Sequence, residues 1–166
     1  MKKIKRMISF FCLRISMMPF FPQTIRYLLV KMGGVNYLGR GHIGSNVSFD
    51  SIAPERITVA AGVCVTMNCV ILTHYYRPVG TDPANMWTFG DVYIDYCAFI
   101  GANTVISKPV RIGKYAVVAA NSVVTTDIPD YEVWGGGSSS VFEKKRDDQQ
   151  ITTCLKNENI NYNSYL

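Results

Sequence analysis

The stretch IDYCAFIGANTVISKPVRIGKYAVVAANSVVTTDIP, running from Ile94 to Pro129, sets an aliphatic residue on every sixth position: Ile94, Ile100, Ile106, Ile112, Val118 and Val124. Ile, Leu and Val make up 39 of the 166 residues, so six such hits with free choice of phase arise by chance roughly once in a thousand. Four residues after each aliphatic come Ala98, Thr104, Val110, Ala116, Ser122 and Ile128, mostly small. Each lies two residues before the next aliphatic, which in an extended strand puts both on one face. A six-residue unit of this kind cannot bury its own apolar side chains. Successive units must wind into a coil that stacks on itself, a parallel β-helix, and so an all-β solenoid. Gly101, Gly113 and Ala119, one residue after the aliphatic, suit backbone that bends sharply between short faces. An ordinary parallel sheet fits less well, because its crossovers need a helix of about a dozen residues and none fits between hexads.

Working outward, the same period starts near Ile43-Gly44-Ser-Asn-Val47 and Phe49, loses register around Pro54-Glu-Arg56, and resumes at Val59, Val65 and Ile71. Val63 and Cys69 take the small inward position there, and the two halves together predict about four coils. Between Ile71 and Ile94 the period fails and Pro78, Gly80, Pro83 and Gly90 accumulate, so residues 75–92 are expected to leave the coil as a protruding loop. Long loops in a regular scaffold are usually functional.

The charge is unevenly divided. Met1 to Phe49 holds eight Lys/Arg and no acid, leaving nine basic against twelve acidic residues in the remainder, a balance of −3 behind a formal net charge of +5. Within this arm Ile4, Ile8, Phe11, Ile15 and Met18 keep the spacing of one helical face until Pro19 and Pro22 stop it. A second helix is predicted from Gln23 to Met32, with Pro22 at its start and Gly33-Gly34 supplying the left-handed end. The helices are expected to cover one end of the coil, spending their apolar face there, or to meet an anionic membrane surface, and both can hold on different faces. The apolar run Met7–Leu13 is too short to span a bilayer and lacks a cleavage site, which predicts a cytoplasmic protein with peripheral membrane contact at most. The expected division is a helical basic arm (1–34), the β-helix (35–142) and a polar tail (143–166). The five cysteines form no Cys-x-x-Cys pair and read as reduced packing residues. No nucleic-acid motif is present.

The runs Ile94-Asp-Tyr-Cys-Ala-Phe-Ile-Gly-Ala-Asn and Val110–Pro129 resemble the hexapeptide-repeat acyltransferases, nearest to the maltose and galactoside O-acetyltransferases and the polysaccharide acetyltransferases. The resemblance covers about residues 40 to 143. It implies a left-handed winding, three hexads to a coil, a homotrimer, and acetyl-CoA as co-substrate with no metal. His74, in Ile71-Leu-Thr-His-Tyr-Tyr76, matches the histidine that serves as general base, in keeping with an imidazole that titrates in the right range. Met86 and Trp87, in Met86-Trp87-Thr88-Phe89, resemble a segment that lines the acceptor pocket, although a loop simply anchored by its aromatics is the plainer reading. For coenzyme A the resemblance carries over Ala102, Ala120 and Thr125. At the end it departs: Gly136-Gly137-Ser138-Ser139-Ser140 stands where Gly-Asn-Pro-Ala-Lys is usual. That leaves Gly136 and Ser139 at the cofactor and Lys144, with Lys145 or Arg146, to meet its phosphates.

His42 has no such match and reads as a surface residue. Zinc carbonic anhydrases share the fold but need three histidines, and this chain has two. The expected activity is therefore transfer of acetyl from acetyl-CoA to a sugar or glycan hydroxyl. Transfer to an amino sugar, or a non-catalytic coil used in assembly, are the alternatives.

Overall fold

The computed structural model describes residues 2–77, 86–137 and 140–143. Its hexads form short strands that fall on three faces. The first face holds β1 (Asn36–Tyr37), β4 (Ile57–Val59), β9 (Val92–Ile94) and β12 (Arg111–Ile112). The second holds β2 (His42–Ile43), β5 (Cys64–Val65), β10 (Phe99–Ile100), β13 (Val117–Val118) and β15 (Val133–Gly135), and the third β3 (Ser48–Phe49), β6 (Val70–Ile71), β11 (Val105–Ile106) and β14 (Val123–Val124). Neighbours on each of these faces pair in parallel, and the aliphatics stack in register: Val59 on Ile94 on Ile112, Val65 on Ile100 on Val118, Ile71 on Ile106 on Val124. At the far end β15 also pairs antiparallel with β16 (Ser140–Glu143).

Every aliphatic in these rows is fully buried, as are Val63, Ala98, Thr104, Ala116 and Ser122 at the small inward position. The hydroxyls among them are satisfied by backbone: Ser122 Oγ donates to the Ala119 carbonyl at 2.6 Å, and Thr104 Oγ1 donates to the same carbonyl on the next coil at 3.2 Å. Cys69 is buried too, and burial pushes its thiol up, with the same cause raising Cys64. Both behave as packing residues rather than thiolates.

Two details of the repeat differ from the sequence reading. The coil begins one strand earlier than Ile43, at β1, where Tyr37 takes the inward slot and pairs with Val59. An aromatic filling an aliphatic slot hid this start, and His42 accordingly lies inside the first coil, on β2. The tight corners are also not made by Gly101, Gly113 and Ala119. Left-handed backbone falls three residues before the aliphatic or aromatic residue of the stacked row, at Asn46, Asn68, Asn103 and Asn121 in one column and at Gly62, Cys97, Tyr115 and Tyr131 in another. Asn tolerates this conformation best among side-chain-bearing residues, and its amides join coil to coil, Asn46 Nδ2 to Asn68 Oδ1 at 3.0 Å and Asn103 Nδ2 to Asn121 Oδ1 at 3.1 Å. Gly101 is small for another reason: a Cβ there would run into the Ala119–Ala120 backbone of the next coil.

The arm forms α1 (Lys2–Ser16) and α2 (Gln23–Met32). Together they close the coil at β2, whose outer edge would otherwise expose unpaired backbone. Gln23 bonds both backbone groups of Ile43, and the buried Arg26 guanidinium donates to the carbonyls of Ser16, Met18 and Ile43 at 2.8–3.0 Å. Ser9 Oγ donates to Gly33 O at 2.5 Å, and a Cβ on Gly33 would collide with Leu13, so α1 lies closely against the end of α2. The side of α1 that packs is Cys12, Leu13 and Ser16, with Ser9 half-buried. The apolar stripe is not spent internally at Ile4, Ile8 and Phe11, which stay exposed. No helix among the described residues is long and apolar enough to cross a membrane.

Candidate active site

The chain leaves the coil immediately after β6. Strands β7 (His74–Tyr76) and β8 (Trp87–Phe89) form an antiparallel hairpin there, with His74 opposite Phe89 and Tyr76 opposite Trp87. Alternation along the strands sends His74, Tyr76, Trp87 and Phe89 to one side and Tyr75 and Thr88 to the other. His74 thus sits at the base of an aromatic wall, its ring 5.4 Å from that of Trp87 and 5.5 Å from that of Phe89. Trp87 is half exposed, and Tyr76 packs edge-on against it at 5.5 Å. The Met86 sulfur accepts a hydrogen bond from the Tyr76 hydroxyl at 2.5 Å.

Beneath His74 lies a residue that the sequence reading missed as a site residue. Asp50 Oδ2 is 2.7 Å from His74 Nδ1, with the carboxylate 2% and the imidazole 14% exposed. The same oxygen accepts from Thr73 Oγ1 at 2.5 Å and Thr73 N–H at 3.0 Å, while Oδ1 accepts from the Ile52 N–H at 2.8 Å. Burial pushes the Asp50 carboxyl up, but the bonds from Thr73, Ile52 and His74 outweigh it and hold the group below the usual carboxylate range. An ionised carboxylate only accepts hydrogen bonds, so the proton of a neutral His74 sits on Nδ1 and the lone pair of Nε2 is left free. That is the state of a base.

The signal for Asp50 was in the repeat itself. Phe49 pairs with Ile71, which sets Asp50 beside Leu72 and within reach of Thr73 and His74. Carrying the register across the insertion at Pro54–Arg56 would have found it.

On the other side of the hairpin a cleft is lined by Tyr75, Thr88, Lys108, Thr125, Thr126 and Asp127. The Lys108 ammonium lies 5.9 Å from the Tyr75 ring centre. Thr125 thus stands at the same corner as His74, between the third and first faces. Ala102 and Ala120 lie at a different corner, between the second and third, where the Asn121 N–H donates to the Ala102 carbonyl at 2.8 Å. Gly136 follows β15, its N–H on Ser122 Oγ at 3.2 Å. Ser139 and Lys144 lie outside the described residues.

No protein-family model matches the chain. In sequence it is 32% identical over 117 residues to YvoF of Bacillus subtilis, an acetyltransferase by assignment only, a match that covers 67% of this chain and 64% of YvoF. In structure it overlays a maltose O-acetyltransferase of Clostridium difficile with a TM-score of 0.67 at 20% identity, over 86% of this chain and 87% of that one. The chain resembles the hexapeptide-repeat acetyltransferases. A hexapeptide-repeat acetyltransferase of Vibrio cholerae, solved with acetyl-CoA, matches with a TM-score of 0.64 at 20% identity, covering 87% of this chain and 89% of that one. At these identities the structural likeness speaks for the fold, and the sequence match spans a little under two thirds of YvoF.

Proposed function

We propose that this protein is an acetyl-CoA-dependent O-acetyltransferase acting on a sugar or glycan hydroxyl, with His74 as its general base. The observation that carries the reading is the Asp50–His74 pair, which leaves Nε2 basic at the foot of an exposed aromatic wall. Acetyl-CoA supplies the acetyl group as a thioester. Trp87 and Phe89 offer apolar surface to the face of a sugar ring and so hold a hydroxyl near Nε2. Nε2 takes the hydroxyl proton as the oxygen bonds to the acetyl carbon, and the protonated imidazole returns that proton to the departing sulfur. Asp50 keeps the ring in the productive tautomer and offsets the charge it carries between those two transfers.

The coil is read as left-handed, as the resemblance to the hexapeptide-repeat acyltransferases implies, with residues 1–34 as the arm, 35–142 as the catalytic unit and 143–166 as a tail. Ala102 and Ala120 stand at a different corner from His74, which supports a homotrimer in which a neighbour's corner completes the cofactor groove. Lys108 and Thr125, at the corner of His74, fit an elongated, phosphate-bearing ligand in the cleft beside the hairpin.

The test is mass spectrometry of products after incubation with acetyl-CoA and a panel of mono- and oligosaccharides, with mild alkali separating labile esters from stable amides. An ester product is expected, and His74→Ala should lower its rate by about 10² to 10⁴. An amide product, or no product from any hydroxyl acceptor, would overturn the reading.

A further inference from the structure

We infer that α1 is a membrane-contact helix whose outward face takes the surface of an anionic bilayer. The helix has a packed side and an open apolar side. Its inner side, Ser9, Cys12, Leu13 and Ser16, is locked against α2 and the coil end by packing and by the bonds of Ser9 and Arg26. On the outer side Ile4 is 58% exposed, Met7 55%, Ile8 48% and Phe11 55%, and Phe20 after the helix reaches 73%. Docking onto the fold therefore leaves this face open rather than covering it.

The charge says what covers it. Lys2, Lys3, Lys5, Arg6 and Arg14 are all on this one helix, which carries no acid, and no acidic residue precedes Asp50. Lys3, Lys5, Arg6 and Arg14 are exposed, and among the described residues none of these four has a carboxylate within 4.0 Å. Two copies meeting through this face would bring together two helices that each carry five basic residues and no acid. An anionic lipid surface instead supplies the opposite charge and an apolar layer at the depth of Ile4, Ile8 and Phe11. At 15 residues the helix is about 22 Å long, suited to lying in the interface plane rather than crossing it. Its anchoring to α2 would fix how the coil stands on the membrane.

The experiment is flotation of the full chain with vesicles of phosphatidylcholine carrying about 30% phosphatidylglycerol, against pure phosphatidylcholine, at low salt and at about 0.5 M. The protein should float with the anionic vesicles at low salt, and at least about tenfold less with neutral vesicles or at high salt. Ile8→Glu/Phe11→Glu should abolish flotation without moving the melting temperature, because both side chains already face solvent. Lys3→Gln/Lys5→Gln, which alters no packed residue, should weaken it independently. A chain that stays at the bottom with anionic vesicles, or an Ile8→Glu/Phe11→Glu variant that floats like the parent, overturns the inference. So does a fall in the light-scattering mass of that variant, which would make the face a contact between copies.

Discussion

Replacing Asp50 by Asn tests the heart of the proposed site. The change is nearly isosteric and removes one buried negative charge, 2.7 Å from His74 Nδ1; the single oxygen left can accept from Thr73 and His74, which share Oδ2, or from the Ile52 N–H on Oδ1, but not from both. Two effects follow for the base. Where the amide oxygen stays with the Ile52 N–H, its NH₂ faces His74, so Nδ1 becomes the acceptor and the proton moves to Nε2, where it blocks the abstraction; where the oxygen stays with Thr73 and His74, the tautomer survives and the NH₂ meets the Ile52 N–H instead. In addition, the imidazolium formed during transfer loses its counter-charge. For charge centres about 4 Å apart at an effective dielectric constant near 20 that attraction is about 4 kcal/mol, or about 10³ in rate. Turnover should therefore fall by about 10³, while KM for acetyl-CoA stays within about twofold, because the pair acts on the proton and not on cofactor binding. The assay is release of the coenzyme A thiol with an acceptor active on the parent protein, alongside a thermal melt. Turnover within about threefold of the parent, in a variant that melts normally, would refute the claim that Asp50 sets the state of His74.

Trp87→Ala removes a half-exposed aromatic from the hairpin and should raise KM for the acceptor by about three- to tenfold with a smaller change in kcat; an unchanged acceptor KM would deny it a place in the pocket. Asn103→Val puts a β-branched residue at φ 59° and breaks the bond to Asn121, which should cost about 2–3 kcal/mol. Asn103→Gly loses only the bond, so its melting temperature should lie clearly between parent and Val; equal losses would mean that the corner is not strained. The folded-state pKa of Asp50 lies below its ordinary 3.8, so the stability it contributes is complete above that value and is lost as pH falls below it through the folded value. Asp95, buried but bonded to Arg111 and the Tyr96 N–H, has the same sign. Acid unfolding followed by circular dichroism should steepen below about pH 4 in the parent and less so in Asp50→Asn, and identical acid limbs would count against the coupling.

The coil is a local code, which is why the sequence alone carried it. One inward aliphatic and one inward small residue per hexad, from Ile94 through Val124, suffice to specify strand, bend and stacking distance, and all of these residues are buried as that code requires. His74 was legible because it stands where the period breaks, and α1 and α2 because helical spacing and the flanking prolines are also local. Relations between residues far apart in the chain needed the fold. Asp50 and His74 meet only because one coil lies on another across the insertion at Pro54–Arg56. Tyr37 opens the repeat with a ring in an aliphatic slot, its hydroxyl lying where a Cβ on Gly41 would come within 2.8 Å. The outward set of Ile4, Ile8 and Phe11 was visible as a stripe, but a stripe does not say which way it faces. That was decided by Leu13 against Gly33 and by Arg26 bonding three carbonyls at the end of the coil, contacts made by side chains of no particular periodicity.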